Sequence, residues 1–359
     1  MNWRIWRIMA NLLYSEQVDR ENVLKLRQLA NELPSYCKEF FRGIEPRTQS
    51  RTRIAYAYDL KVFFTFLYEN NPDLKKEYEN IKYIPVEVMD SLTPIDIEEY
   101  MEYLKYRTDN VHEVFNKTTG VKRKISCLKS LYKYLYRTEK INNNPTERIF
   151  MPKLHEKNIV RLDVDEIAIL LDEVETGDKL TQKQKDYHKK TKIRDLTILM
   201  LMLGTGIRVS ECVGLDLNHI DFKNSCIKVF RKGGKEGVVY FGDEVFEMLL
   251  NYYDLRKSIV AKPGHENALF LSLQQTRLGV RSIEKLVKKY ATLVNPLKHI
   301  TPHKLRSTYG TNLYKETGDI YLVADVLGHK DVNTTRKHYA AIEDDRRRSA
   351  KDAVKLRRG

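Results

Sequence analysis

Cys226-Ile-Lys-Val-Phe230, Arg231-Lys232-Gly233-Gly234-Lys235-Glu236 and Gly237-Val-Val-Tyr-Phe241 read together as a strand, a glycine turn and a second strand. Two short β-rich runs flanking such a turn are the pattern of an antiparallel hairpin. Nearly everything on either side carries the helical period instead. Upstream, helices are predicted over 163–173 and over the strongly apolar 194–203. The polar stretch 177–192 between them reads as a loop with a short helix. Downstream, helices are predicted over 244–257, 281–293, 303–316, 320–327 and 334–341. The fold class is mainly α: one small antiparallel sheet sits in an otherwise helical domain.

Further upstream, residues 15–150 read almost entirely as helix. In Ile54-Ala-Tyr-Ala-Tyr58-Asp-Leu-Lys-Val62-Phe-Phe-Thr-Phe66-Leu67 the large side chains form a stripe wide enough to bury. Thr93-Pro94-Ile-Asp96 is an N-cap followed by a first-turn proline, opening a helix through Tyr100, Met101 and Leu104. Lys124 to Leu135 alternates an apolar stripe with lysines and stops before Asn142-Asn-Asn-Pro145. The two prolines Pro145 and Pro152 then mark an extended linker. The expected division is an N-terminal extension over 1–34, helical or partly disordered, a helical domain over 35–150, a linker over 151–158, a second domain over 159–345 and a basic tail over 346–359. A chain of 359 residues suits two such cores.

Lysines and arginines number 63 against 49 acidic residues, a formal net charge of +14 that favours a polyanionic partner. The excess peaks in the tail, where Arg346, Arg347, Arg348, Lys351, Lys355, Arg357 and Arg358 crowd together. Cys37, Cys127, Cys212 and Cys226 form no CxxC pair, so neither a zinc site nor a disulfide framework is expected, and a reducing cytoplasm is the simplest home. No run of about eighteen apolar residues occurs, and Arg4 and Arg7 interrupt the start, so neither a membrane span nor a signal peptide is expected.

The chemistry-bearing residues lie in Gly204-Thr205-Gly206-Ile207-Arg208-Val209-Ser210-Glu211, in Thr301-Pro302-His303-Lys304-Leu305-Arg306, in Leu327-Gly328-His329, and at Lys232 and Tyr339. Exchange at a phosphodiester without a metal gathers negative charge on the non-bridging oxygens, for which guanidinium forks are natural clamps. Arg208 and Arg306 suit that task. His303 and Arg306, three apart at a helix start, share one face, and the helix N-terminus adds positive field. A helix cap accounts for His303 equally well, and the same holds for His329 after its glycine. Gly204 and Gly206 permit close backbone approach or simply end a helix. Lys232, at the hairpin turn, could protonate a leaving oxygen as a general acid. A solvated turn lysine describes it too, and Lys235 is a rival for the same task. A tyrosine is a weak nucleophile at neutral pH unless a base and cations assist its ionisation. Among 22 tyrosines, with Tyr309, Tyr314 and Tyr321 at packing spacings, the residues alone do not single out Tyr339. No metal-ligand set and no cofactor motif accompanies these groups, so neither a metal nor a cofactor is expected.

Taken together and in order, Thr205-Gly-Ile-Arg208-Val-Ser-Glu211, Arg231-Lys232-Gly-Gly-Lys-Glu236, His303-Lys-Leu-Arg306, Leu327-Gly-His329 and Thr334-Thr-Arg-Lys-His-Tyr339 resemble the motifs of the tyrosine recombinases, the phage integrase and Xer-like family of site-specific DNA recombinases. The resemblance covers about 160–345, and more loosely 35–150, which is similar to the family's core-binding (SAM-like) domain. It implies the tyrosine-recombinase fold and assigns roles. Arg208 and Arg306 would grip the scissile phosphate, Tyr339 would attack it to form a 3′-phosphotyrosine, and Lys232 would protonate the leaving 5′ oxygen. His303 would exchange the tyrosine's proton, His329 would hydrogen-bond the phosphate, and Glu211 would orient its neighbours.

The resemblance further implies four protomers on two duplexes of a double-stranded recombination site, passing through a Holliday junction, with the segment after Tyr339 docking in trans. A second recombinase or an accessory protein is a further expected partner, and chromosome dimer resolution or mobile-element integration and excision the expected task. The expected location is cytoplasmic and nucleoid-associated. On the first domain, Lys122, Arg123, Lys124 and Lys129 are candidates for a DNA groove, with a solvated helix face as the competing description. Two other functions use parts of the same pattern: a type IB topoisomerase-like enzyme relaxing DNA, and a DNA-binding regulator that keeps the fold without turnover.

Overall fold

The computed structural model describes residues 13–109, 112–153, 160–231, 234–329 and 331–332. They fall into two compact units, one on each side of the 157/158 junction. In the first, α1 (Tyr14–Ala30), α2 (Ser35–Ile44), α3 (Ser50–Asn70), α4 (Pro72–Glu77), α5 (Val86–Ser91) and α6 (Pro94–Lys105) precede a hairpin of β1 (Tyr106–Asp109) and β2 (His112–Phe115), and α7 (Thr118–Arg137) follows it. α3 pairs with α1 and α7, and α2 and α6 also pack on α7. The stripe foreseen on α3 is buried: Phe63 lies edge-on to Tyr100 of α6 with ring centroids 5.0 Å apart. From α7, Ile125, Leu128, Leu131 and Leu135 close the same core. Thr93 and Asp96 form the capping box at the start of α6, the Thr93 backbone N–H donating to Asp96 Oδ2 at 2.7 Å.

The β1–β2 hairpin interrupts a region whose sequence reads as helix. Its antiparallel register pairs Tyr106 with Phe115, and their rings lie 4.9 Å apart. Both side chains are largely exposed, so neither strand carries the buried-and-exposed alternation that a sequence pattern detects.

Asp59 of α3 is almost completely buried and holds two cations of α7. Arg123 bonds both carboxylate oxygens, Nη2 to Oδ1 at 2.8 Å, and Lys124 Nζ lies 3.5 Å from Oδ1. Burial pushes the Asp59 carboxyl pKa up against the pull of Arg123 and Lys124. Burial also lowers that of the Lys124 ammonium, against the attraction of Asp59. Removing one partner of such a cluster leaves buried charge uncompensated. Asp59→Ala is therefore expected to destabilise the full chain by about 3 kcal/mol in urea denaturation, and adding Lys124→Met should restore part of that loss.

In the second unit α8 (Val164–Thr176) leads to the 24-residue α9 (Gln182–Thr205), followed by α10 (Val209–Val213), a sheet of order β3-β4-β5 (Ile220–Asp221, Cys226–Phe230, Glu236–Tyr240), α11 (Asp243–Lys257), α12 (Val280–Val294), α13 (Pro302–Thr317) and α14 (Ile320–Leu327). α9 is the central helix, packed against α8, α11 and α13, with Ile198, Leu199, Leu201 and Met202 buried. The hairpin pairs antiparallel with Val229 opposite Gly237.

α9 corrects the reading of 177–192 as mainly loop. The helix starts at Gln182 because Thr181 and Gln184 form a capping box, Thr181 N–H to Gln184 Oε1 at 2.9 Å. Its first half buries polar groups that are satisfied inside the fold. The His188 ring lies 2.7 Å from the Val174 carbonyl through Nε2, and Thr191 donates to Asp195 at 2.9 Å. Satisfied polar groups bury at little cost, and they erase the apolar period. Among the described residues no helix is long and apolar enough to cross a membrane.

Candidate active site

The site is built around the C-terminus of α14. Gly328 adopts a left-handed conformation, φ 61°. The Gly328 N–H donates to the Asp325 carbonyl at 2.7 Å and the His329 N–H to the Ala324 carbonyl at 2.8 Å. These two bonds are a Schellman motif, and they fix the turn on which His329 stands. They leave the carbonyls of Val326, Leu327 and Gly328 pointing out of the helix end, where the macrodipole is negative and cations are favoured.

Each of those carbonyls receives a different arginine. Arg306, on the first turns of α13 and 5% exposed, donates through Nη2 to Leu327 and through Nη1 to the Gly206 carbonyl at 2.6 Å. Arg208, between α9 and α10, donates through Nη2 to Gly328 at 3.3 Å. Arg231, at the end of β4, donates through Nη2 to Val326 at 3.4 Å. Glu211 is buried and holds Arg208 at both ends, accepting the backbone N–H on Oε2 at 2.8 Å and Nη1 on Oε1 at 2.7 Å. Arg208 and Arg306 against the one carboxylate of Glu211 leave a net positive charge, suited to a phosphoryl centre that grows more negative toward its transition state.

Gly206 is the left-handed C-cap of α9, φ 64°, and its carbonyl is an Arg306 acceptor. A Cβ there would lie 2.4 Å from Tyr309 Cδ1 and 2.9 Å from Leu327 Cδ2. Gly206→Ala is expected to cost about 2 kcal/mol or more from backbone strain and overpacking, read as a lower thermal midpoint together with weaker activity. Gly204 is explained by packing, since a Cβ there would meet Val245 Cγ2 at 2.6 Å.

Of the residues singled out in the sequence, Arg208, Glu211, Arg306 and the His329 turn come together here. His303 is exposed on the first turn of α13, whereas Arg306 on the next turn is buried. Lys235 is exposed, and its carbonyl accepts the Arg231 N–H at 2.7 Å. Tyr314 is buried and Tyr321 is exposed on α14. Burial of Tyr309 raises its pKa, the opposite of what a nucleophile needs. Lys232, Tyr339, the helix foreseen over 334–341 and the basic tail 346–359 lie outside the described residues, as do residues 1–12 and most of the linker.

The four cations of α7 do not act alike. Lys122 and Lys129, two turns apart, are half-buried on one face, while Arg123 and Lys124 reach round to Asp59, leaving the Lys124 side chain only 10% exposed. Sequence reasoning overlooked Arg231. It carries no periodic or motif signal beyond its place next to Lys232.

Residues 160–346, more than half of the chain, match the family model described as the phage integrase family. The chain belongs to that family. Tyrosine recombinase XerS of Streptococcus agalactiae is 30% identical over 366 residues, spanning 92% of this chain and 98% of the relative. Tyrosine recombinase XerC of Caldanaerobacter subterraneus is 31% identical over 329 residues, 89% of this chain and 87% of the relative. The fold is that of XerH recombinase, solved with a palindromic difH substrate, with a TM-score of 0.62 at 18% identity over 97% of this chain and 94% of that one. It is likewise that of the Tn1549 transposon integrase, solved with transposon right end DNA, with a TM-score of 0.61 at 20% identity over 89% of this chain and 99% of that one. This protein is thus a tyrosine recombinase, a DNA breaking-rejoining enzyme, and the mainly helical fold with a small antiparallel sheet in the second unit is the one its sequence led us to expect, the β1–β2 hairpin being the addition.

Proposed function

We propose that this recombinase cuts and rejoins double-stranded DNA at a specific site through Tyr339. The observation that carries the reading is the convergence of Arg208 and Arg306 on the carbonyls of Gly328 and Leu327, beside His329. These contacts fix the planes of two guanidinium forks whose geometry matches phosphate oxygens. In the first step a bond forms between Tyr339 Oη and the phosphorus, and the P–O5′ bond breaks, leaving a 3′-phosphotyrosine. Lys232 delivers a proton to the departing 5′ oxygen. His303, exposed at the helix start, takes the tyrosine's proton and returns it on reversal. His329 hydrogen-bonds a non-bridging oxygen, and Glu211 keeps Arg208 in register. One phosphoester is exchanged for another, so rejoining to a new strand needs no ATP.

Recombination of two duplexes through a Holliday junction calls for four protomers, with the segment beyond Tyr339 docking on a neighbour and a second recombinase or accessory protein joining where the site demands it. The 35–150 domain and 159–345 domain would clamp the duplex, Lys122 and Lys129 contacting phosphates from α7, with Arg123 and Lys124 engaged by Asp59. A cytoplasmic, nucleoid-associated location follows from a chromosomal DNA substrate. The names of the XerS and XerC relatives and the DNA-bound XerH and Tn1549 structures support this reading.

The test is a nicked duplex that traps the covalent step. The recombinase should form an adduct on DNA carrying its site, and peptide mapping should place the link on Tyr339. Relaxation of plasmid lacking any site would favour the topoisomerase-like function, and salt-sensitive binding without adduct the regulator.

A further inference from the structure

We infer that Arg231 is a positioning residue that ties the hairpin carrying Lys232 to the turn carrying His329, so that proton delivery to the leaving oxygen depends on it. The inference rests on the proposed role of Lys232 as general acid. The Arg231 guanidinium lies between two glycines from different elements. A Cβ on Gly328 would come within 2.2 Å of its Nη1 and 2.5 Å of its Cζ, and a Cβ on Gly237 within 3.0 Å of its Nε. A side chain at Gly328 would displace the guanidinium, and one at Gly237 would crowd it. Nη2 donates to the Val326 carbonyl at 3.4 Å, and Nε is buried without a hydrogen-bond partner. A buried donor left unpaired costs free energy, so the side chain is held by its packing and by the negative end of α14.

The backbone of the same residue closes the hairpin. The Arg231 N–H donates to the Lys235 carbonyl at 2.7 Å, and the Arg231 carbonyl accepts the Gly234 N–H at 3.2 Å. Arg231 therefore anchors the base of the loop to the helix end that also receives Arg208 and Arg306, and Lys232 is the next residue in the chain. An anchor next to Lys232 in the chain matters because a general acid works only within hydrogen-bond distance of the atom it protonates.

A DNA in which sulfur replaces the bridging 5′ oxygen separates positioning of the acid from every other role. A thiolate leaves readily without a proton, since thiols ionise near pH 8.5, so the sulfur substrate bypasses the general acid. Adduct formation on matched oxygen and sulfur nicked duplexes should be compared for wild type, Arg231→Ala, Arg231→Lys and Lys232→Ala. Arg231→Ala is expected to slow cleavage of the oxygen substrate by about 10²-fold and to cleave the sulfur substrate within about threefold of wild type, a result that also certifies the variant as folded. Arg231→Lys should resemble it, because an ammonium cannot fill the slot between the glycines. Equal loss on both substrates with Lys232→Ala restored by sulfur would overturn the role of Arg231, as would normal cleavage of the oxygen substrate by Arg231→Ala. Failure of sulfur to restore Lys232→Ala would instead remove the general-acid reading of Lys232 itself.

Discussion

Tyr339→Phe is expected to give no covalent adduct on a nicked duplex, a fall of at least about 10⁴-fold in the cleavage rate, while leaving DNA binding within about twofold of wild type. The substitution deletes one oxygen and keeps the aromatic ring, so the loss isolates the nucleophile. Other tyrosines are poor substitutes for physical reasons. Tyr252 is buried and its pKa is pushed up to about 12, and Tyr309 is raised by burial. Gel analysis under denaturing conditions reads the adduct, and fluorescence anisotropy in fixed salt reads the binding. An adduct surviving in the phenylalanine variant would assign the nucleophile to another residue.

Arg306→Ala is expected to be the second most damaging change, because Arg306 is both a proposed phosphate clamp and a structural tie. Loss of a preorganised donor at a developing charge typically costs about 10²- to 10³-fold. The same deletion leaves the Gly206 and Leu327 carbonyls without this donor inside the fold. An unsatisfied buried polar group costs about 1–3 kcal/mol, so the thermal midpoint should fall by about 5 °C or more. Arg306→Lys separates the two effects. It keeps the charge but cannot span both carbonyls, so cleavage should remain about 10²-fold down while part of the stability returns. Stopped cleavage on the nicked duplex and thermal denaturation of the same samples measure both. Full activity in Arg306→Lys would rule out a forked contact.

The sequence was informative where local chemistry and topology agree. The α3 stripe, the Thr93–Asp96 cap and the Gly-Gly hairpin are local signals, and α14 begins and ends where its cap residues Asp319 and Gly328 place it. The first half of α9 was hidden because its buried groups are polar: His188 meets the Val174 carbonyl of α8, which only the tertiary fold supplies, and Thr191 bonds Asp195 one turn on. The candidate site was legible as an ordered set of motifs, and resemblance did most of that work. Its geometry was not legible: nothing in the spacing says that Arg208, Arg231 and Arg306 meet at one helix end, or that Lys124 turns inward to Asp59.

The carbonyls at the end of α14 have a consequence for the order in which this enzyme can come into being. The Arg208 contact spans 120 residues of chain and the Arg231 contact 95, whereas that from Arg306 to Leu327 spans 21. Contacts of such separation form only after long loops have closed. During synthesis from the N-terminus, Arg208 and Arg231 are made well before the residues that receive them. Glu211 can hold Arg208 and the Gly206 carbonyl can receive Arg306 without α14, but the three arginines meet only once its C-terminus is in place. Completion of the cluster waits on one eight-residue helix, and the proposed grip on a phosphate would arise only with the closing of the second unit.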